Sequence, residues 1–395
     1  MLDLKSLLKD TYLRSRRALL WLFVPLRKTT VPSKSEIRRI LFLRHDRIGD
    51  MILSTAALKA LRRGFPRAKI TVLASDRNYE VLKHNPSVDE FLIYKGFKWF
   101  MKEIRPRDYD LVIDPFLTYE MKQAVMTYLA GGKYRIGFEE AGREIFFNLK
   151  GPTAAPPKRM VDHLLDLAEL AGGKRKGCEP EVFLSDTEIE CATRDLAQKG
   201  ISAGAVTIAV HPGAHYPSQQ WPAERFGELS RRIFGHGGAK VIILGSKDEE
   251  GLLEAVKKSA GKDILIFSCG NIRELAAIVS RCDLLVCNNS GPLHIASALK
   301  VPTVSMLGPT VTPLWLPYGE SNVVINKAFS CSPCNRAHCK DHKCMEAITV
   351  DEVFEAVETQ IALVRPTRKI KGWQAVKGEI ETFGSHEKAK KNHRC

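Results

Sequence analysis

The sequence contains no hydrophobic run long enough to cross a membrane. The longest apolar run near its start, Ala18–Leu26, has nine residues, whereas a membrane-spanning helix needs about 20. No small-residue cleavage site is obvious after this run, so we expect no secretory signal. Hydrophobic residues make up 44% of the chain and charged residues 27%, which excludes a disordered protein. The length of 395 residues predicts two globular domains with extensions.

Acidic residues are too few to balance the basic ones, and the basic excess lies at the two ends. The net charge is +15, of which residues 1–40 carry +7 and residues 365–395 carry +6. The 324 residues between them therefore carry only +2. A nearly neutral body argues against a nucleic-acid groove, so we predict no nucleic-acid partner.

The basic amphipathic extension formed by residues 1–37 suggests a membrane surface as a partner. Basic residues flank an apolar run that includes Trp21 and Phe23. Such a segment can lie in the interface of an anionic membrane, and the alternative is a basic helix packed on the protein. We expect a cytoplasmic protein that is peripheral on the inner face of the cytoplasmic membrane. The basic tail over 365–395 lacks apolar periodicity, and this lack predicts a loosely ordered segment.

The ten cysteines lack the framework of a disulfide-rich secreted protein. Four of them are clustered in the loop over residues 331–344. They are Cys331, Cys334, Cys339 and Cys344. Their spacing contains one Cys-x2-Cys pair, whereas a four-thiolate zinc site usually has two. Two interpretations stay open: a structural zinc site, and a loop with reduced or partly oxidised thiols.

From residue 38 onward, short apolar runs alternate with segments of helical period. The alternation restarts after a stretch rich in Gly and Lys near residues 172–180. Apolar runs of Val, Ile and Leu are typical of parallel strands that are buried on both faces. The pattern predicts an α/β protein with two doubly wound domains, over 38–180 and 181–348, followed by a C-terminal helix over 349–364.

Ten strands are predicted from these runs. They are Ile40–Arg44, Lys69–Leu73, Leu111–Asp114, Tyr134–Gly137, Val206–His211, Lys240–Leu244, Ile264–Phe267, Leu284–Cys287, Pro302–Leu307 and Asn322–Ile325.

The first predicted strand ends in the loop Arg44–Asp50, which leads directly into a helix. Gly49 permits a tight turn or the close approach of a ligand. Asp50 stands where the N-cap of the helix is expected. Two roles are open for it: a plain helix cap, or a general base that the helix N-terminus keeps ionised and that accepts the proton of an acceptor hydroxyl.

Three later loops also follow predicted strands, where doubly wound folds bind their ligands. Gly213 and the polar groups after it can approach a phosphate. Asp248 or Glu249 stands where a carboxylate often holds ribose hydroxyls, although acids in a first helical turn are common for electrostatic reasons alone.

The segment around Ser290 and Gly291 is the most specific of these loops. It presents backbone amides at a helix N-terminus, which suits a pyrophosphate. His294 follows one turn later and could contribute a hydrogen bond or a positive charge. The alternative is a well-capped helix with a structural histidine.

Several motifs occur in a fixed order along residues 38–362. They are Arg47-Ile-Gly-Asp50, His211-Pro-Gly-Ala, Trp221-Pro-Ala-Glu-Arg-Phe226, Gly245 to Glu249, Asn289-Ser-Gly-Pro-Leu-His294, Gly308-Pro-Thr310 and the Cys-x2-Cys loop that leads to Cys344-Met345. In this order and spacing they resemble the bacterial ADP-heptose:lipopolysaccharide heptosyltransferases, glycosyltransferase family 9.

The resemblance implies a GT-B fold, in which two Rossmann-like domains face a cleft, with the acceptor on the first and the donor on the second. It also implies that the C-terminal helix over 349–364 crosses back to the first domain. It implies an inverting, metal-independent transfer that requires no cofactor. The donor is an ADP-sugar, ADP-heptose by the resemblance, and the acceptor is a lipid-linked saccharide of the lipopolysaccharide core. Two other functions stay open: a nucleotide-sugar epimerase on the same fold, and a non-catalytic module that binds sugar nucleotides or lipids.

The resemblance also assigns roles to residues. Asp50 is the base, and Arg47 and Gly49 belong to the acceptor-side loop. The donor-binding residues are Gly213, Ser218, Gln219, Glu249, Asn289, Ser290, Gly291 and His294. Within that set, Glu249 holds the ribose, and Ser290, Gly291 and His294 hold the diphosphate.

Two positions depart from the family pattern. Gln219 stands where the family commonly has Lys, and Asn289 stands where it has an Asp that contacts the donor sugar. The identity of the sugar is therefore open. Arg225, Lys247 and His215 are candidates for a replacement cation.

Overall fold

A computed structural model of the chain describes residues 11–12, 15, 36–152, 156–202, 204–236, 238–261 and 264–364. The chain forms two compact units, Met1–Phe183 and Leu184–Cys395. The predicted extension over 1–37 and the predicted tail over 365–395 lie outside the described residues, apart from positions 11, 12, 15, 36 and 37. In the described part of the chain, no helix has both the length and the apolar character needed to span a membrane.

The first unit is built on a parallel sheet of six strands. They are β1 (Arg39–Leu43), β2 (Lys69–Ala74), β3 (Glu90–Ile93), β4 (Leu111–Asp114), β5 (Tyr134–Phe138) and β6 (Leu149–Gly151). The spatial order is β3-β2-β1-β4-β5-β6, which is the doubly wound order of a Rossmann-like domain. The order reverses between β1 and β4, so the loops that follow these two strands flank the crevice in which such folds bind ligands.

Helices cover the faces of this sheet. They are α1 (Ile48–Gly64), α2 (Phe97–Glu103), α3 (Lys122–Leu129) and α4 (Met160–Leu170). The small residues Ala56, Ala57 and Ala60 of α1 are fully buried, and α1 packs against α4. At its end, Gly64 lies so close to the backbone of Gly172 that a Cβ would not fit there.

The second unit repeats the arrangement. Its strands are β7 (Thr207–His211), β8 (Lys240–Ser246), β9 (Leu265–Cys269), β10 (Leu284–Asn288), β11 (Thr303–Met306) and β12 (Asn322–Ile325). The order β12-β11-β10-β7-β8-β9 is again doubly wound and parallel, with its reversal between β7 and β10.

Helices alternate with the strands of the second unit along the chain. They are α5 (Asp186–Gln198), α6 (Ala223–Gly235), α7 (Glu250–Ala260), α8 (Ile272–Val279), α9 (Gly291–Ala298), α10 (Thr312–Trp315), α11 (Lys343–Glu346) and α12 (Val350–Val364). Helix α12 packs against α6, β10 and β11 of this unit, and buries Val353 and Val357 in the core.

All ten predicted strands occur, with ends displaced by at most two residues. The sequence analysis missed β3 and β6, which are the edge strands of the first sheet. Strand β3 is only half-buried along its whole length, and β6 has three residues with an exposed Lys150 at its centre. Neither edge strand therefore needs the continuous apolar run that marks a central parallel strand.

A buried ion pair joins β4 to the segment after β5. The guanidinium of Arg143 donates to the Asp114 carboxylate at 2.7 Å, and both side chains are fully buried. The same guanidinium donates to the carbonyl of Phe116, and the Thr127 hydroxyl donates to Asp114 at 3.4 Å. Removing either partner leaves the other charge buried without compensation.

We predict that Arg143→Met lowers the free energy of unfolding by about 3–5 kcal/mol, because the Asp114 carboxylate loses its counter-charge in the interior. Lys133→Met, which breaks an exposed ion pair with Glu36, is the matched control and should cost less than about 1 kcal/mol. Urea denaturation of both variants measures the difference. Equal losses of unfolding free energy in the two variants would show that the buried ion pair contributes no more to stability than the exposed one.

Candidate functional site

In the first unit, the loops after β1 and β4 are joined by Arg44. This residue directly follows β1 and is only 2% exposed. Its guanidinium donates to the carbonyl of Pro115 at 2.8 Å, and lies 4.9 Å from the ring centroid of Phe116. The sequence analysis assigned no role to Arg44, although an arginine at the end of a buried strand is itself a signal, because such a group needs several partners.

Asp50 does not cap α1. The helix begins at Ile48 with Arg47 at the N-cap, so Gly49 and Asp50 lie inside its first turn. The capping role that was open for Asp50 is therefore wrong. The predicted tight turn at Gly49 is also absent, because this residue is helical and does not belong to the glycines with positive φ.

The Asp50 carboxylate lies in a buried, hydrogen-bonded setting. The residue is 7% exposed, and its Oδ1 is 3.7 Å from the guanidinium of Arg44. Arg44 Nε donates to the Ser54 hydroxyl at 3.0 Å, and that hydroxyl donates to the Asp50 carbonyl at 2.7 Å. Arg44 thus contacts the side chain of Asp50 and, through Ser54, its backbone.

Burial, followed by the charge of Asp46, raises the pKa of Asp50 to about 7, against the opposing charges of Arg44 and Arg47. Burial therefore acts against the ionisation that the helix N-terminus was expected to favour. A carboxylate with a pKa near neutrality is well matched to general-base catalysis.

Polar groups that the sequence analysis missed lie beside Asp50 at the same edge of the sheet. His45 follows β1, Ser75 follows β2 and Tyr94 follows β3. The rings of His45 and Tyr94 are 4.9 Å apart, and burial lowers the pKa of His45 to about 4, so its imidazole is neutral. The buried atoms His45 Nδ1, Asp46 Oδ1 and Ser75 Oγ have no hydrogen-bond partner in the described part of the chain. Buried polar atoms without a protein partner are suited to a polar ligand.

In the second unit, Asn288 joins the loops after β7 and β10. Its side chain is fully buried, accepts from the backbone amide of Trp221 at 3.0 Å and donates to the carbonyl of Pro212 at 2.7 Å. The sequence analysis passed over Asn288, because its neighbours in the Cys287–His294 segment had more evident roles. The amide therefore ties both ends of the loop that contains Gly213 to the last residue of β10.

Ser290 is the N-cap of α9, and Gly291 is the first helical residue. The Ser290 hydroxyl donates to the carbonyl of Asn288 at 3.3 Å and does not cap the helix, which leaves the Gly291 amide to an anion. Pro292 has no N–H, and the Leu293 amide donates to the Ser290 carbonyl at 3.2 Å. His294 is 3% exposed, and burial lowers its pKa to about 4. Of the two contributions that were open for His294, a hydrogen bond and a positive charge, burial therefore favours the hydrogen bond.

The two positions that depart from the family pattern meet at one hydroxyl. Asn289 Nδ2 donates to Thr310 Oγ1 at 3.1 Å, and Gln219 Nε2 donates to the same oxygen at 3.5 Å. Thr310 itself is 3% exposed. Arg225, a candidate replacement cation, donates instead to the carbonyls of Glu346 and Ile348 and is engaged in packing α11.

Gly213 and Glu249 come together as neighbours. A Cβ on Gly213 would overlap the Glu249 carboxylate, which would have to shift to make room for it. Burial opposes ionisation of Glu249, but His211 and the hydrogen bonds from Ser246 outweigh it and lower the pKa of Glu249 to about 2. Oε2 of Glu249 accepts both bonds from Ser246, which leaves Oε1 as the oxygen toward Gly213.

The loop over residues 331–344 is hydrogen-bonded to two of the donor-side loops, those that contain Ser218 and Pro309. His342 Nε2 lies 2.9 Å from the carbonyl oxygen of Ser218, and the Ser218 hydroxyl donates to the carbonyl of Arg336. The amides of Cys334 and Asn335 donate to the Pro309 carbonyl at 3.1 and 3.0 Å. Ser218 and Thr310 are therefore held in place by this loop.

The four clustered thiols do not fit a metal ion as they are arranged. Cys331 and Cys339 are exposed, Cys334 is half-buried and Cys344 is buried. Burial raises the pKa of the Cys344 thiol, and the other three thiols raise it further, so their sulfur atoms lie near one another. However, no three His, Cys, Asp or Glu side chains of the described residues are placed to hold a metal. The structural zinc expected from the spacing is not formed by this arrangement.

Comparison with known proteins agrees with this architecture. Residues 98–345, more than half of the chain, match the model of glycosyltransferase family 9 (heptosyltransferase). Lipopolysaccharide heptosyltransferase 3 of Escherichia coli K12 is 24% identical over 335 residues, which cover 78% of this chain and 94% of the relative. Lipopolysaccharide heptosyltransferase 2 of the same strain is 24% identical over 306 residues, which cover 69% and 83%.

Two solved structures have a similar fold. A family 9 glycosyl transferase from Veillonella parvula gives a TM-score of 0.72 at 22% identity, with 82% of this chain and 98% of that chain covered. ADP-heptose lipopolysaccharide heptosyltransferase II of E. coli gives 0.66 at 21% identity, with 82% and 99% covered. Together with the two Rossmann-like sheets, these structures confirm the predicted α/β fold of the GT-B type. The chain therefore belongs to glycosyltransferase family 9, the heptosyltransferase family, and is a glycosyltransferase.

Proposed function

We propose that this protein is an inverting transferase that moves a heptose, or a related sugar, from an ADP-sugar to a lipid-linked saccharide in the assembly of the lipopolysaccharide core. Relatives named as lipopolysaccharide heptosyltransferases 2 and 3 support this acceptor class. A heptosyltransferase of E. coli solved with ADP supports an adenine nucleotide as the leaving group. The observation that carries the proposal is the buried Asp50 carboxylate at the ligand-binding edge of the first sheet.

In the proposed reaction, Asp50 is the general base. Its carboxylate accepts the proton of the acceptor hydroxyl while that oxygen forms a bond to the anomeric carbon of the donor. The bond from this carbon to the diphosphate breaks on the opposite face, so the anomeric configuration inverts and ADP leaves. The polar atoms of His45 and Ser75, which lack protein partners, support a hydroxyl-rich acceptor beside Asp50.

The donor is held, in this proposal, by the loops of the second unit. The Gly291 amide at the N-terminus of α9 and the neutral His294 donate to the diphosphate, and the ionised Glu249 accepts from ribose hydroxyls. Fixed amides aimed at a developing charge stabilise the leaving group. We infer that they do so in place of a metal ion.

We further propose that the enzyme works in the cytoplasm at the inner face of the membrane. A lipid-linked acceptor is presented there, and the basic residues of 1–37 and 365–395 complement an anionic lipid surface.

Asp50→Asn keeps the shape of the side chain but removes the proton acceptor. We predict that kcat for transfer from ADP-heptose falls by about 10²–10⁴-fold, while the Kd for ADP, measured by titration calorimetry, stays within about twofold because the donor loops are untouched. Asp108→Asn, at an exposed position of the same unit, is the control. Undiminished transfer by Asp50→Asn would remove this residue from the chemistry. Wild-type protein that binds ADP-heptose but transfers nothing to any lipid acceptor would favour the non-catalytic module.

The pKa of Asp50 also predicts a pH dependence. A base must be deprotonated to act, and burial raises the pKa of Asp50 to about 7. We expect kcat to increase about tenfold per pH unit below 7 and to level off above it. Initial rates at saturating substrates between pH 5.5 and 8.5 test this, and a flat profile from pH 5.5 upward would contradict it.

Thr310→Val removes the hydroxyl that accepts from both Asn289 and Gln219 while preserving the shape of the side chain. Two amides at the donor site then lose their partner, which typically costs about 1–3 kcal/mol for a buried group. We predict a roughly 5–100-fold weaker Kd for the ADP-sugar and a smaller change for ADP alone. Thr193→Val, whose hydroxyl donates within a helix of the same unit, should bind both normally. Equal weakening of ADP and ADP-sugar would place the effect on the nucleotide instead.

A further inference from the structure

One guanidinium is shared by two carboxylates in the first unit. Arg44 NH1 lies 3.0 Å from Asp46 Oδ2 and 3.7 Å from Asp50 Oδ1. Its other nitrogens are occupied, since Nε donates to Ser54 and NH2 donates to the carbonyl of Pro115. The guanidinium is therefore held in a fixed place, and NH1 is the part that the two carboxylates share.

We propose that Asp46 is a positioning residue for sugar transfer. It accepts a hydrogen bond from the guanidinium of Arg44 and so weakens the effect of that positive charge on Asp50, which keeps the Asp50 carboxylate basic. This inference rests on the proposed role of Asp50 as the general base. Asp46 makes no covalent or proton-transfer step of its own. Its effect passes through the guanidinium and through its own negative charge.

The geometry supports a competition between the two acids. The bond from Arg44 to Asp46 is of normal hydrogen-bond length, whereas the separation from Arg44 to Asp50 exceeds it by 0.7 Å. An unshared arginine beside a carboxylate lowers the pKa of that carboxylate by about 1–3 units. A second carboxylate on the same guanidinium cancels much of this effect, and a base that is too weakly basic accepts a proton poorly.

The charges around Asp50 all lie in one stretch of chain. Asp46 and Arg44 come from the loop after β1, and Arg47 caps α1. From the loop after β4, the neighbours of Arg44 are the Pro115 carbonyl and the Phe116 ring, which carry no charge. The nearby His45 is neutral, because burial lowers its pKa to about 4. Asp46 is thus the acidic group whose charge raises the pKa of Asp50 against the opposing charges of Arg44 and Arg47.

The test is the pH profile of kcat for Asp46→Asn. This variant keeps a group that can accept from Arg44 but removes the negative charge. We expect the acidic limb of the profile to move to lower pH by about one unit, since the full charge of Arg44 then acts on Asp50. The plateau of kcat should fall as well, because Asp50 becomes a weaker base. Asp46→Glu, which keeps the charge, should restore the wild-type limb.

Asp108→Asn removes one exposed carboxylate from the same unit and should leave the limb in place. An unmoved limb in Asp46→Asn, or a limb displaced to higher pH, would overturn the positioning role. If Asp46→Asn does not fold, Asp46→Ser gives the same comparison. If Asp50→Asn still transfers sugar, the proposed base is wrong. If Asp50→Asn is inactive and Asp46→Asn has an unmoved limb, only the role of Asp46 fails.

Discussion

The buried guanidinium of Arg44 is the interaction on which the candidate site of the first unit depends. A parallel sheet leaves the ends of β1 and β4 side by side at the point where the strand order reverses. Arg44 joins the loops after these two strands through the Pro115 carbonyl and the Phe116 ring, and it also contacts Asp50. Its charge can be buried at this place because each part of the guanidinium has a partner.

The second unit meets the same requirement with a neutral group. Asn288, the last residue of β10, bonds the backbone at both ends of the loop that follows β7, across the corresponding reversal. An amide both donates and accepts, so it can hold this loop without adding charge. This difference fits the two proposed tasks, because a diphosphate needs free amides and a base needs a tuned carboxylate.

The neutral side chains of Gln219 and Asn289 share one hydrogen-bond acceptor. Both amides donate to the hydroxyl of Thr310, and the loop over 331–344 holds the neighbouring Ser218 and Pro309 in place. A lysine and an aspartate at these positions would place two opposite charges beside this hydroxyl. Their joint replacement by amides therefore removes both charges together and avoids a lone charge at the donor site.

The sequence by itself determined the fold class, because runs of Val, Ile and Leu between helical segments are required by central parallel strands. It also located the loops around Asp50 and Ser290, since ligand loops follow strands in such folds. It did not reveal the edge strands, whose half-exposed residues leave no continuous apolar signal. Only the tertiary structure decided the ionisation of Asp50 and His294, because desolvation depends on neighbours that are distant in sequence. The tertiary structure alone also brought the amides of Gln219 and Asn289 to the hydroxyl of Thr310. It likewise brought the loops after β1 and β4 to the guanidinium of Arg44, since such contacts join segments that sequence spacing cannot place together.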